Sequence, residues 1–122
     1  MAKVKEERKK ETCETRIDEK LTGRIKDFEA ALNREKWPDE NGNEDFIEWL
    51  NLYSLAYSDV SYYRAKSLEL SYGGPQDYFL FFTEEDRIEY HFLDWFDGAV
   101  RDLSGDDYET MKRVYDEYLN IG

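Results

Sequence analysis

Apolar residues follow two different rhythms along this chain. From Cys13 through Ile17, Leu21, Ile25, Phe28 and Leu32 they recur every three or four positions. That spacing puts them on one face of an amphipathic helix and predicts a helix running to about residue 35, weakened only by Gly23. Trp37-Pro38 stops it, because a residue before proline is pushed out of the α region, and Asp39-Glu-Asn-Gly-Asn43 is then a turn. A second helical set, Phe46, Ile47, Trp49, Leu50, Tyr53 and Ala56, follows an Asn43 cap and is expected to end near Asp59. Its apolar stripe is wide enough to lie between the first helix and a sheet.

Alternation then takes over. Over residues 62–72, Leu68, Leu70 and Tyr72 share one face while Ser67, Glu69 and Ser71 share the other, the pattern of a half-buried strand. Gly73-Gly74-Pro75, with Gln76 and Asp77, reads as a turn. Residues 78–83 are apolar on both faces and predict a central, antiparallel strand. Glu84-Glu85-Asp86 makes the next turn, and residues 87–95 alternate again with Ile88, Tyr90 and Phe92 inward. Val100-Arg-Asp-Leu103 is a short connection, either a strand end or one helical turn. The last helix begins with Asp106 as N-cap and Glu109 at capping-box spacing, and buries Tyr108, Met111, Val114, Tyr115, Tyr118 and Leu119. The expected fold is α+β: two N-terminal helices, a three-stranded antiparallel β-meander, and a C-terminal helix packed on the sheet. Residues 1–12 carry almost nothing to bury and are either frayed or the solvated start of the first helix.

Composition adds charge to this picture. The 122 residues fit a single domain (1–122) with one core that needs no staple. Against 29 Asp and Glu stand 17 Lys and Arg, a formal charge of −12. Residues 1–36 carry a net +2 and residues 37–122 a net −14, so the acidity belongs to the folded part. Aromatic residues make up 16% of the chain, enough apolar area to order so charged a sequence. Cys13 is the sole cysteine, which rules out an internal disulfide. No apolar run approaches the ~20 residues of a membrane span or follows the basic N-terminus as a signal core, so a cytoplasmic location in the host cell is expected.

Candidate chemistry is sparse. His91 is the only histidine and lies on the strand face opposite Tyr90 and Phe92, so no triad, dyad or zinc set can be assembled around it. Asp39, Asn41 and Asn43 alternate like the start of a calcium loop, but the loop glycine and closing Glu do not follow. The glycines at 73 and 74 join strands and have no lysine behind them, unlike a phosphate-cradling loop. No cofactor or metal is expected, and the protein is read as a non-enzyme. A carboxylate-dependent enzyme built on Asp94 and Asp97, with Asp106 and Asp107 nearby, is the third-ranked reading. Direct nucleic-acid binding fails because residues 37–122 contain only six basic side chains.

The same charge balance favours the converse. A stiff fold displaying carboxylates can enter the basic groove of a nucleic-acid-binding protein and displace its substrate. The candidates are Glu84, Glu85, Asp86, Glu89, Asp94, Asp97, Asp102, Asp106, Asp107, Glu109, Asp116 and Glu117. The competing reading is an ordinary solvated surface, with Asp106, Asp107 and Glu109 serving a helix N-terminus. Aromatic residues belong first to the core, although Trp95 and Phe96 between aspartates can form an exposed anchor, the basis of the second-ranked reading, a non-enzymatic adaptor.

Residues 71–79, Ser-Tyr-Gly-Gly-Pro-Gln-Asp-Tyr-Phe, with 90–99, Tyr-His-Phe-Leu-Asp-Trp-Phe-Asp-Gly-Ala, and a closing acidic helix resemble small acidic proteins of phages and other mobile elements. In size and charge the chain is also similar to anti-CRISPR and anti-restriction proteins that mimic DNA. The first resemblance covers about residues 66–119, and the second is one of type. Together they imply an inhibitor whose partner is a basic nucleic-acid-binding protein, a CRISPR effector or a restriction enzyme. The long first helix leaves open the pairing of two copies into a homodimer.

Overall fold

Strand-forming alternation extends further along the backbone than the apolar count discloses. The computed structural model describes residues 12–33, 46–60 and 64–120, and in them the sheet has five strands rather than three. These are β1 (Ala56–Val60), β2 (Ala65–Ser71), β3 (Gln76–Phe82), β4 (Arg87–Asp94) and β5 (Asp97–Asp102), all antiparallel in the order β1-β2-β3-β4-β5. The doubly apolar segment is the central strand, as its composition requires. The two strands missed by periodicity are the edges. β1 is short and mostly exposed, so its alternation carries little apolar contrast. β5 follows β4 after only Trp95 and Phe96, a hairpin loop too brief to register as a break.

Among the described residues three helices accompany the sheet: α1 (Cys13–Asn33), α2 (Phe46–Tyr53) and α3 (Gly105–Val114), the last continuing into a wider π-helical turn over Tyr115–Leu119. α1 opens with a reciprocal cap: the Thr12 hydroxyl accepts from the Thr15 amide, and the Thr15 hydroxyl accepts from the Thr12 amide. Its buried stripe, Cys13, Ile17, Leu21, Ile25 and Phe28, is the predicted one and packs on β4 and β5. α2 ends six residues earlier than expected. There Leu55 donates its amide to the Glu69 carbonyl and the chain turns into β1, so α2 sits beside α1 instead of between α1 and the sheet. Phe28 joins the layers, with its ring edge-on to Trp49, Tyr53 and Phe79 at 5.2, 5.5 and 6.0 Å. α3 starts at Ser104, in extended conformation, and not at Asp106; no side chain caps it, and Asp106 and Asp107 fall in its first turn, where the helix dipole favours them. The readings made for residues 1–11, the Trp37-Pro38 stop, the 39–43 turn and the Asn43 cap lie outside the described residues.

A β-bulge corrects the face assignment of β2. Glu69 pairs with Tyr78 and Ser71 with Asp77, so Leu70 is the extra residue. Strict alternation would send Ser71 away from the helices and Tyr72 toward them. The bulge instead delivers the Ser71 hydroxyl to Asp77, 2.5 Å away, and leaves Tyr72 at 76% exposure. Asp77 itself belongs to β3 and not to the preceding turn.

Asp77 is 4% exposed, and three groups converge on it. Arg24 of α1 grips both carboxylate oxygens, Nε to Oδ2 at 2.7 Å and Nη2 to Oδ1 at 2.9 Å. Tyr90 of β4 donates at 2.6 Å, and Ser71 completes the set. Arg24 also donates to Tyr53 of α2, which donates in turn to Asp27. Burial pushes the Asp77 carboxyl up, but the hydrogen bonds from Arg24, Ser71 and Tyr90 outweigh it and hold the group below its ordinary value. Burial and Asp27 raise Tyr53 to about 12.

Arg24→Leu leaves this carboxylate buried without its cation and is expected to lower unfolding free energy at pH 7 by about 3–5 kcal/mol, read from urea titration. The folded Asp77 binds its proton less readily than the unfolded one. Its contribution is therefore complete above about pH 4, the unfolded value, and falls as pH drops through the lowered folded value. The gap between the parent and the variant should accordingly narrow towards pH 3.

Candidate partner-binding surfaces

The meander sorts the predicted carboxylates to its two ends. β4 spans about 23 Å from Arg87 to Asp94, so residues around the 83–86 turn and those around Trp95 lie on opposite sides of the protein. At the first end Glu84, Glu85 and Asp86 occupy the β3–β4 turn, with Asp102 at the end of β5 and Asp106, Asp107 and Glu109 following at the start of α3. Asp116 lines a recess with Glu85 and Asp86, and Glu117 follows it on the last turn. Eight of these nine are exposed, Asp107 is half-buried, and Glu84, Glu85, Asp102, Asp116 and Glu117 have cationic neighbours.

Those neighbours only partly cancel the field. Arg64 pairs with Glu84 at 2.6 Å, Lys112 with Asp116 at 3.1 Å and Arg113 with Glu117 at 2.7 Å. Arg87 is shared among Glu85, Glu89 and Asp102. Among the described residues Asp86, Asp106, Asp107 and Glu109 have no ion-pair partner. Exposed pairs of this kind contribute only about 0–1 kcal/mol, so a competing cationic partner can replace them at small cost.

The other three predicted carboxylates are not on this surface. Glu89 is buried beside Arg87 and His91. Burial pushes its carboxyl up, and hydrogen bonds from Arg87 and His91 more than reverse that, leaving it low. At the opposite end, Asp94 accepts from Arg16 at 2.6 Å, and Arg16 also lies over the Phe92 ring at 4.9 Å. Asp97 accepts the Cys13 amide at 2.7 Å and the Gly98 amide at 2.9 Å, and the Cys13 amide chiefly depresses its pKa. Both aspartates hold α1 against the β4–β5 hairpin, aided by Arg101 of β5 reaching Glu14 and Asp18.

Between Asp94 and Asp97 the hairpin tip presents Trp95 and Phe96 at 90% and 103% exposure. Trp95 has φ +60°, a conformation that suits the first loop position of a type II′ hairpin but is unfavourable for a bulky side chain. Tyr72, on the β2–β3 connection, is exposed at the same end. The sequence pointed to the Trp-Phe pair; Tyr72 escaped because the bulge that expels it has no periodic signature.

Sequence reasoning also missed the sheet face turned away from the helices. The ring of Tyr78 stacks on His91 with centroids 4.7 Å apart and planes 12° from parallel. His91 Nε2 lies 2.9 Å from Glu89, and Arg87 lies 4.5 Å above the Phe82 ring. The available signal was that Tyr78, Glu89 and His91 occupy alternate positions opposite the apolar stripe on two neighbouring strands. Among the described residues no group of acidic, histidine and cysteine side chains is arranged to hold a metal, and no helix is long and apolar enough to cross a membrane. No family model, curated protein or solved structure matches the chain.

Trp95→Gly removes a left-handed conformation costing about 1–2 kcal/mol at the expense of about 0.5–1 kcal/mol of added chain entropy. It should raise stability by roughly 0.5 kcal/mol in urea unfolding, whereas Phe96→Ser should change it by less than about 0.5 kcal/mol.

Proposed function

We propose that the protein is a non-enzymatic inhibitor of a nucleic-acid-binding host defence complex, of the anti-CRISPR or anti-restriction kind. It places the acidic end of its sheet in the groove that the complex uses for DNA or RNA. The observation that carries this reading is the gathering of Glu85, Asp86 and Asp116 about one recess, with Glu84 in the same turn and Asp102 sharing Arg87 with Glu85, while Asp106 and Glu109 add negative charge along a neighbouring recess at the start of α3. Such a surface is drawn to a basic channel and competes with phosphates for the same lysines and arginines. Glu89, Asp94 and Asp97 have internal work and drop out of the binding set.

A second reading, an adaptor that binds through aromatic residues, is favoured by the exposed Trp95-Phe96 tip and its positive-φ backbone. The two use opposite ends and are separable. Immobilised protein should capture a nucleic-acid-binding complex from host lysate, release it when salt rises from about 0.05 M to about 0.3 M, and release it to added DNA or RNA. Reversing Glu84, Glu85 and Asp86 together to lysine should abolish capture with the circular dichroism spectrum unchanged. Undiminished capture by that variant overturns the inhibitor reading; salt-insensitive capture lost with Trp95→Gly and Phe96→Ser establishes the adaptor.

A further inference from the structure

The face of the sheet turned away from the described helices contains a groove of about 720 Å³. That volume lies within the usual range for small-molecule sites, about 300–1,000 Å³. Its floor is well shielded: Leu80 is 6% exposed and Ser67, its register partner, 7%. One wall carries Glu69 of β2, whose carboxylate has no hydrogen-bond or ion-pair partner among the described residues. The other wall is Glu89 with His91. Tyr78 lies between, directly opposite Glu69 in register, so their Cβ atoms are about 5 Å apart.

We propose that this groove is a binding site for a small organic cation, an amine or guanidinium carried on a flat apolar body. The lining has three carboxylates, Glu69, Glu85 and Glu89, against the single guanidinium of Arg87, and so selects positive charge. It already holds one such group internally: Arg87 rests over the Phe82 ring while Glu85 and Glu89 accept its protons. A second pairing of carboxylate and ring is Glu69 beside Tyr78, where an added cation meets both a carboxylate and an aromatic side chain and its apolar body lies over Leu80. Arg87, tied also to Asp102, closes one end, which suits a bounded molecule better than a running peptide chain. The site shares Glu85 with the acidic end but does not depend on the partner proposed for that end.

Phenethylamine is the probe, with phenylacetate and 2-phenylethanol as anionic and neutral counterparts, followed by amide chemical-shift titration of the full chain. Phenethylamine should shift Ser67, Glu69, Tyr78, Leu80 and His91 and leave α1 unmoved, binding at least tenfold more tightly than phenylacetate. Glu69→Gln should weaken it about tenfold, while Glu48→Gln on α2 leaves it unchanged. Equal binding of the anion, shifts outside this face, or an unaffected Glu69→Gln variant overturns the assignment. A lysine-rich hexapeptide that shifts the same amides at lower concentration also overturns it, in favour of a peptide groove.

Discussion

A carboxylate sealed inside an apolar core must be neutralised where it stands, and the architecture of this protein answers that requirement at Asp77. The side chain sits on the central strand, beneath α1 and beside β2 and β4. Its partners come one from each: Arg24 from the helix, Ser71 from β2 and Tyr90 from β4. Because every donor has a fixed direction, satisfying Asp77 specifies how far along the sheet α1 lies and in which register the three strands meet. Hydrophobic contact around Phe28 and Phe79 supplies the cohesion but tolerates sliding; the buried ion pair does not.

That constraint also separates the two working ends. With α1 fixed, Arg16 and the Cys13 amide reach Asp94 and Asp97 and secure the β4–β5 hairpin, which holds the aromatic tip out in solvent. At the far end, α3 begins directly after β5, its first turn placing Asp106 and Glu109 beside Glu29 of α1, while Asp116, just past its other end, lines the recess of Glu85 and Asp86. Acidic and aromatic surfaces are thus displayed at opposite ends of one rigid sheet, with the open groove on the face between them.

What could be seen in the sequence was what repeats. The stripe from Cys13 to Phe28, the doubly apolar central strand and the inward set Ile88, Tyr90 and Phe92 all emerged from spacing, and the structure places each as expected. What could not be seen depended on single events. One inserted residue at Leu70 reversed the faces of Ser71 and Tyr72, and a two-residue loop hid β5. Charge posed a different difficulty: a carboxylate reads the same in sequence whether it is solvated, like Asp86, or engaged by a backbone amide, like Asp97. Only the fold distinguishes them, because the partners of Asp97 and Asp94 lie about eighty residues away.

Cys13 gives this arrangement a built-in reporter. Its side chain is 1% exposed, burial first and the nearby Asp97 charge second hold its thiol protonated, and its own amide is fastened to the hairpin. An alkylating reagent can reach the sulfur only when the first turn of α1 lifts from β5. The native chain, with no engineered label, therefore records through its rate of thiol modification how often the junction between helix and aromatic hairpin comes apart.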